Sequence, residues 1–185
     1  MAAGTKCAFS TLSFHGHSII HGFETSHCSC LFTIIDRYTT EHALKSYEKH
    51  GECITTDITI DHVKEGTMSL LNTQTMNSKP FFRVKGKIYP TETPAKFDVV
   101  FEPSSWVDHM IVALGPLDAN GKYTYSIGTN HNAKRDLFVL VRDLQNWDKA
   151  AILAIIQTYE LPAPVEVYQG KTCRYAAFIN STRNE

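Results

Sequence analysis

The sequence lacks any excess of charge of one sign and any long apolar run. Lysine and arginine together number 18 and aspartate and glutamate 19, so the formal net charge is -1. Without an overall positive field, the chain is poorly suited to binding the phosphates of a nucleic acid. Apolar runs such as residues 110–114 fall far short of the roughly 20 residues that cross a bilayer. We therefore expect no nucleic-acid partner and no transmembrane segment.

Glycine and proline are also scarce, at 10 and 7 residues, and this excludes a collagen-like or linker-like chain. Apolar residues make up 43% of the sequence, which is more than a wholly disordered chain carries. A length of 185 residues suits one domain with a core of ordinary size better than two domains. The composition therefore predicts a single folded domain.

Residues 1–31 differ from the rest of the chain, because three of the five cysteines and four of the nine histidines lie there. A secretion signal needs a basic start and then about 7–15 apolar residues, but polar residues interrupt any such block here. We interpret residues 1–31 as an atypical, poorly ordered terminus. Two alternatives stay open: a replaced start joined to a normal domain, and a metal site at His15, His17, Cys28 and Cys30, whose spacing matches no zinc module.

From residue 53 onward, apolar and polar residues alternate with the period of two that is typical of β-strands. The clearest example is residues 82–88, where every second residue is basic. Turn-forming residues separate the alternating segments from one another. The predicted strands are residues 53–60, 67–75, 82–88, 95–101, 107–114, 122–128 and 136–142.

The pattern changes near residue 147. Apolar residues then recur at the three- and four-residue spacing of an amphipathic helix, and two prolines follow. We predict a helix over residues 147–160 and a short strand over 165–168. The helical positions are Ala151, Ile152, Ile155, Ile156 and Tyr159.

Seven strands in hairpin order, with one more strand before them, predict an all-β fold. We expect an up-and-down antiparallel eight-stranded β-barrel with one C-terminal α-helix packed outside it, because closure removes exposed strand edges. A β-sandwich is the alternative. The barrel domain is predicted to span residues 32–176, and residues 177–185 form a tail.

Four segments support a more specific interpretation through their order and spacing. They are Tyr47-Glu-Lys-His-Gly-Glu-Cys53, Glu92-Thr-Pro-Ala-Lys-Phe-Asp-Val-Val-Phe101, Phe138-Val-Leu-Val-Arg142-Asp143 and Gln169-Gly-Lys-Thr-Cys173. They resemble, in turn, the start of strand B, the strand-E segment, the last-strand motif and the C-terminal cysteine segment of the lipocalin family. Within that family, they are most similar to the apolipoprotein D and insect bilin-binding branch. With the helix, the resemblance covers residues 38–175.

Two parts of the chain depart from the family pattern. The Gly-x-Trp motif of strand A is missing near Ile35-Asp36-Arg37, and the motif between strands F and G is replaced by Gly115-Pro116-Leu117. A replaced start would explain both the missing strand-A motif and the missing signal. A divergent strand A is the alternative.

The resemblance implies that a small hydrophobic ligand (a lipid, fatty acid, sterol, retinoid or pigment) binds in the barrel and is transported. The strand positions expected to face inward are mostly apolar or aromatic, which is the composition of an apolar pocket. Periodicity alone does not separate such a pocket from a solid core. The positions are Ile58, Met68, Leu70, Phe82, Val84, Ile88, Phe97, Val99, Phe101, Tyr123, Tyr125 and Phe138.

The resemblance also implies a disulfide between Cys53 and Cys173 and secretion as a monomer or weak oligomer. Asn180 begins a glycosylation sequon, which only a secreted chain could use. In the family, the residue equivalent to Arg142 lies over the strand-A tryptophan at the closed end of the barrel. Arg37 stands near the place of that tryptophan and would bring a second positive charge close to Arg142. Because the two charges repel each other, we expect residues 32–40 not to pack there. Tyr38 as a substitute partner is the alternative.

No combination of nucleophile, base and orienting group is recognisable in the sequence. We therefore expect no enzymatic activity, no cofactor and no metal. His109 and His131 are interpreted as lone histidines, on the surface or with a local partner. A lipocalin-like isomerase or synthase and an interaction protein without a cavity are the alternative functions.

Overall fold

The computed structural model describes residues 9–14, 17–23, 32–39, 52–62, 66–76, 79–103, 105–119, 122–130, 136–144, 147–169 and 173. These residues contain eleven strands and one helix. In chain order the elements are β1 (Phe9–Phe14), β2 (His17–Phe23), β3 (Phe32–Thr39), β4 (Glu52–His62), β5 (Thr67–Met76), β6 (Lys79–Pro90), β7 (Lys96–Phe101), β8 (Ser105–Leu114), β9 (Tyr125–Thr129), β10 (Leu137–Val141), α1 (Lys149–Thr158) and β11 (Val165–Glu166).

Strands β3 to β10 form a closed barrel. Each pairs with the next in one sheet, and β10 also pairs with β3. All of these pairings are antiparallel, and the closing register places Val141 opposite Ile35 and Val139 opposite Tyr38. The short strand β11 pairs with β3 through Val165 and Thr39. The predicted eight-stranded up-and-down barrel is therefore confirmed, and closure leaves its main strands without free edges.

Strand β3 occupies the position expected for strand A, although the Gly-x-Trp motif is missing. Its first residues pair with β4, where Thr33 lies opposite Asp57, and its later residues pair with β10. Without β3, the facing edges of β4 and β10 would lose these backbone hydrogen bonds. The expectation that residues 32–40 do not pack at this end of the barrel is wrong, because backbone pairing holds the strand independently of the motif.

The first part of the chain contains a hairpin that the sequence pattern did not predict. Strands β1 and β2 pair antiparallel, with Phe9 opposite Phe23 and Phe14 opposite His17. Strand β2 lies close to β8 of the barrel. The proposed division of the chain at residue 31 stays a prediction.

Helix α1 packs on the outside of the barrel, as predicted. Asp148 caps its start, because its Oδ1 accepts a hydrogen bond of 2.9 Å from the backbone N–H of Ala151. The buried face of the helix lies against the outer surface of β8, β9 and β10. The residues in this cluster are Ala113, Tyr125, Ile127, Leu137, Val139, Val141, Ile152, Ile155 and Ile156.

The segment after β11 is attached to β4 by a disulfide and two hydrogen bonds. Cys53 lies at an irregularity in β4, where its φ is 55°. Its backbone N–H donates to the carbonyl of Gln169 at 3.2 Å, and the N–H of Ile54 donates to Oε1 of the same glutamine at 3.0 Å. Cys53 and Cys173 are joined with their Cα atoms 5.4 Å apart. The predicted disulfide is therefore confirmed.

Arg142 lies just after β10, at the end of the barrel where β8 and β9 are connected. Its Nε donates to the carbonyl of Tyr123 at 2.7 Å, and its backbone N–H donates to the carbonyl of Thr124 at 3.0 Å. Burial lowers the pKa of the guanidinium, and the charge of Asp118 acts in the opposite direction. Arg142 therefore ties β10 to the segment that precedes β9.

We expect Arg142→Ala to lower the free energy of unfolding by about 1–3 kcal/mol, because it removes a charged donor from a partly buried carbonyl. Denaturant unfolding of the wild type and the variant measures this. Lys122→Ala is the control, because Lys122 is an exposed cation in the same connection, and its loss should change stability by less than about 0.5 kcal/mol. Equal effects of the two substitutions would contradict the role given to Arg142.

Candidate functional site

The pairing register sorts the residues of the barrel between its inner and outer faces, because residues directly opposite one another share a face. On β6, Gly86 and Ile88 are buried, whereas Lys85 and Lys87 are exposed. The exposed face carries a cross-strand ion pair, in which Lys87 Nζ lies 2.8 Å from Asp61 Oδ2. This hydrogen bond raises the pKa of Lys87. The face of Gly86 and Ile88 is therefore the inner one.

Apolar side chains from β4, β5, β6 and β7 meet on this inner face. Ile88 lies opposite Met68 on one side and opposite Val99 on the other. Seven of the predicted ligand-binding residues belong to the resulting cluster, together with Ile60. These seven are Ile58, Met68, Leu70, Ile88, Phe97, Val99 and Phe101.

Three further predicted residues share the inner face by register. Val84 lies opposite Asn72, Phe82 lies opposite Gln74, and Phe138 lies opposite Gly128. All three are half-buried. They extend the apolar surface from the cluster along β6 and across to β10.

Tyr125 is not part of this group, and its predicted inward position is wrong. It lies opposite Val141 and belongs to the cluster beneath α1, with Ile127 and Val139. Burial is the main cause of its raised pKa, and the charge of Asp148 adds to the effect. Alternation shows which residues share a face, but the position of the helix decides that this face of β9 is the outer one.

Tyr123 lies outside the barrel strands. It forms an isolated antiparallel bridge with Leu117 in the connection between β8 and β9, and its carbonyl accepts the hydrogen bond from Arg142. Burial raises the pKa of its phenol. The structure therefore does not bring Tyr123 together with the inner-face cluster.

Uncharged polar groups follow the apolar cluster toward one end of the barrel. Thr56 and Asn72 lie opposite one another, and the Thr56 hydroxyl donates to Asn72 Oδ1 at 2.8 Å. Gln74 follows on the same face and is 2% exposed. The inner face of β4 and β5 thus changes from apolar to polar toward the end where β5 continues into β6, while β6 stays apolar there.

His109 also lies on the inner face, where it was not predicted. It is opposite Phe97, and its ring centroid is 5.3 Å from that of Phe138. A Cβ atom on Gly128 would lie 2.5 Å from His109 Cε1. The imidazole therefore occupies space that only a glycine at position 128 leaves open.

Several predicted features lie outside the described residues. They are the sequon at Asn180, the side chains of the proposed metal ligands, Cys7 and His131. Within the described ranges, no group of three or more histidine, cysteine, aspartate or glutamate residues could hold a metal ion. In the same part of the chain, no helix has both the length and the apolar character needed to cross a membrane.

Comparison with known proteins gives no match by sequence. No protein-family model matches the chain, and no curated protein matches it. The fold, in contrast, is similar to solved structures.

Apocrustacyanin C1 superposes with a TM-score of 0.57 at 15% identity, covering 81% of this chain and 83% of that one. Lobster apocrustacyanin A1 superposes with a TM-score of 0.54 at 16% identity, covering 78% of this chain and 80% of that one. The cockroach allergen Per a 4 superposes with a TM-score of 0.50 at 21% identity, covering 75% of this chain and 84% of that one. None of these likenesses singles out the apolipoprotein D branch, which stays a prediction. The closed barrel, its outer helix and these likenesses, all of them to lipocalins, show that this chain has the lipocalin fold.

Proposed function

We propose that the protein binds and transports a small hydrophobic ligand inside its barrel. The observation that carries this proposal is the inner-face cluster, in which apolar side chains from four consecutive strands converge around Leu70 and Val99. Burying an apolar ligand against such a surface gains about 25 cal/mol for each Å² removed from water. The ligand would be a lipid, fatty acid, sterol, retinoid or pigment, with its least polar part against the cluster.

The polar residues of the inner face favour one orientation of the bound ligand. An apolar ligand body would contact the cluster, and any polar group would be placed best toward the Thr56–Asn72 pair or beside His109. Binding sites of this kind combine a mostly apolar lining with a few polar groups that orient the ligand. We therefore expect an elongated or ring-shaped ligand with an apolar body and one polar end.

We expect the wild-type protein to bind the apolar dye N-phenyl-1-naphthylamine saturably, at one site per chain, with an increase in dye fluorescence. Val84→Phe fills the inner face and should weaken dye binding at least about tenfold, because overfilling leaves no space for the ligand. Val100→Phe is the matched control, since Val100 is 37% exposed on the outer face. Absence of saturable binding by the wild type would show a solid core and refute the proposal.

Secretion and a monomeric or weakly oligomeric state belong to the same proposal. The disulfide between Cys53 and Cys173 supports secretion, because such bonds persist in oxidising compartments. The closed barrel supports a monomer, since its main strands offer no free edge to a second chain. The expectation that the chain is not an enzyme stays a prediction.

A further inference from the structure

The outer face of β6, β7 and β8 carries a group of exposed apolar side chains. Val100 on β7 lies opposite Lys87 on β6 and opposite Trp106 on β8. Because Lys87 is on the outer face, Val100 and Trp106 share that face. Tyr89 is two residues after Lys87 on β6 and therefore lies on the same face. The three strands thus bring Tyr89, Val100 and Trp106 together in what we call the outer patch.

The outer patch concentrates the exposed apolar surface of the barrel. Trp106 is 54% exposed, Tyr89 44% and Val100 37%. Among the described residues, six large hydrophobic side chains are exposed, and three of the six belong to this patch. Strand β2 lies close to β8, but it leaves more than half of Trp106 uncovered. Single exposed apolar residues are normal on a protein surface, whereas a group of them marks an interaction surface.

Charged side chains of both signs surround the outer patch. Lys85 and Lys87 are exposed on β6, and Glu102 is exposed where β7 ends. Lys87 also forms the ion pair with Asp61 on β4. The hydrogen bond with Asp61 raises the pKa of Lys87, and the charges of Asp61 and Glu102 add to this effect. Lysine and carboxylate groups therefore lie side by side at the rim of the patch.

We propose that the outer patch is the contact surface of a weak, two-fold symmetric dimer of this chain. In such a dimer the same surface of both copies meets itself, so its charges must be complementary to their own arrangement. A rim that carries both signs meets this condition, because the lysines of one copy can lie against the carboxylates of the other. An anionic lipid surface or a nucleic acid would instead require a mainly positive rim.

The size of the outer patch indicates that the dimer is weak. A stable interface buries roughly 800 Å² on each partner, and three partly exposed side chains supply only its apolar centre. Contact between two outer faces needs no free strand edge, so the closure of the barrel does not prevent it. This inference goes beyond ligand binding, and it narrows the proposed oligomeric state from a monomer or weak oligomer to a weak dimer.

The experiment is sedimentation equilibrium of the full, oxidised chain. We expect the average mass to rise from 20.8 kDa toward twice that value as the concentration increases from about 10 µM to about 1 mM. Trp106→Ser removes the largest side chain of the patch and should weaken the association at least about tenfold. Tyr168→Ser is the matched control and should leave the association unchanged. Tyr168 is 55% exposed and follows β11, which pairs with β3.

Charge reversal tests whether the face is complementary to itself. Lys85→Glu makes the rim more acidic and Glu102→Lys makes it more basic, so each variant alone should dimerise more weakly than the wild type. An equimolar mixture of the two variants should regain dimers, because an acidic face then meets a basic one. Both residues are exposed, so neither substitution disturbs the core.

The outcomes decide between the second copy and other occupants of the patch. A wild type that keeps the mass of one chain over this range would overturn the proposal, as would equal association of Trp106→Ser and Tyr168→Ser. A mixture of the charge variants that associates no better than its components would also overturn it. Binding of the monomer to phosphatidylcholine vesicles, with a shift of tryptophan fluorescence that Trp106→Ser abolishes, would assign the patch to a lipid surface instead. A monomer that binds N-phenyl-1-naphthylamine saturably would refute the dimer and leave the proposed function intact.

Discussion

Replacing Ile127 by alanine is expected to lower the free energy of unfolding by about 2–5 kcal/mol. The Ile127 side chain is 0% exposed and lies between the outer surface of the barrel and α1. Its truncation removes contacts with β10 and with the helix together, and the closed barrel has little freedom to collapse into the space. Denaturant unfolding followed by circular dichroism measures the loss.

Two further substitutions provide reference values for the expected loss in the free energy of unfolding. Ile127→Val removes one methylene group and should cost about 0.5–1.5 kcal/mol. Leu153→Ala is the control on the helix, since Leu153 is 37% exposed, and it should have a much smaller effect. If Leu153→Ala destabilised the protein as much as Ile127→Ala, the assignment of the inner helix face to Ile152, Ile155 and Ile156 would be wrong.

Removal of the disulfide by the double substitution Cys53→Ser and Cys173→Ser is expected to cost about 2–5 kcal/mol. The two cysteines are 120 residues apart in the sequence, so the bond restricts a long loop in the unfolded chain. After its loss, the hydrogen bonds of Gln169 still connect this segment to β4. Thermal unfolding of the oxidised wild type, the reduced wild type and the double variant measures the effect.

A substitution of Gln169 separates the contribution of the disulfide to stability from the contribution of the neighbouring hydrogen bonds. Gln169→Ala in the oxidised protein leaves the covalent bond in place but removes the acceptor of the Ile54 N–H. We expect this variant to lose about 1–3 kcal/mol, because a buried donor is then unsatisfied. An oxidised wild type and a reduced wild type with the same midpoint would show that the disulfide does not contribute to stability.

The sequence by itself determined much of the strand and helix content. Seven alternating segments became β4 to β10, and the apolar spacing around Ile152 became α1, because period two and period 3.6 are local properties of the backbone. The disulfide followed from the resemblance of the segment around Cys173 to a known family. The strands β1 and β2 could not be predicted, since their residues show no sustained alternation.

Only the tertiary structure decided which face of β8 and β9 lies inside. Tyr125 and Phe138 are both aromatic residues in alternating strands, yet the helix covers the first and the barrel encloses the second. His109 has no distinguishing feature in the sequence, and its inner position depends on the register with Phe97 and on the space at Gly128. Alternation relates a residue to its neighbours along the strand, whereas inside and outside are set by how the sheet closes and where the helix packs.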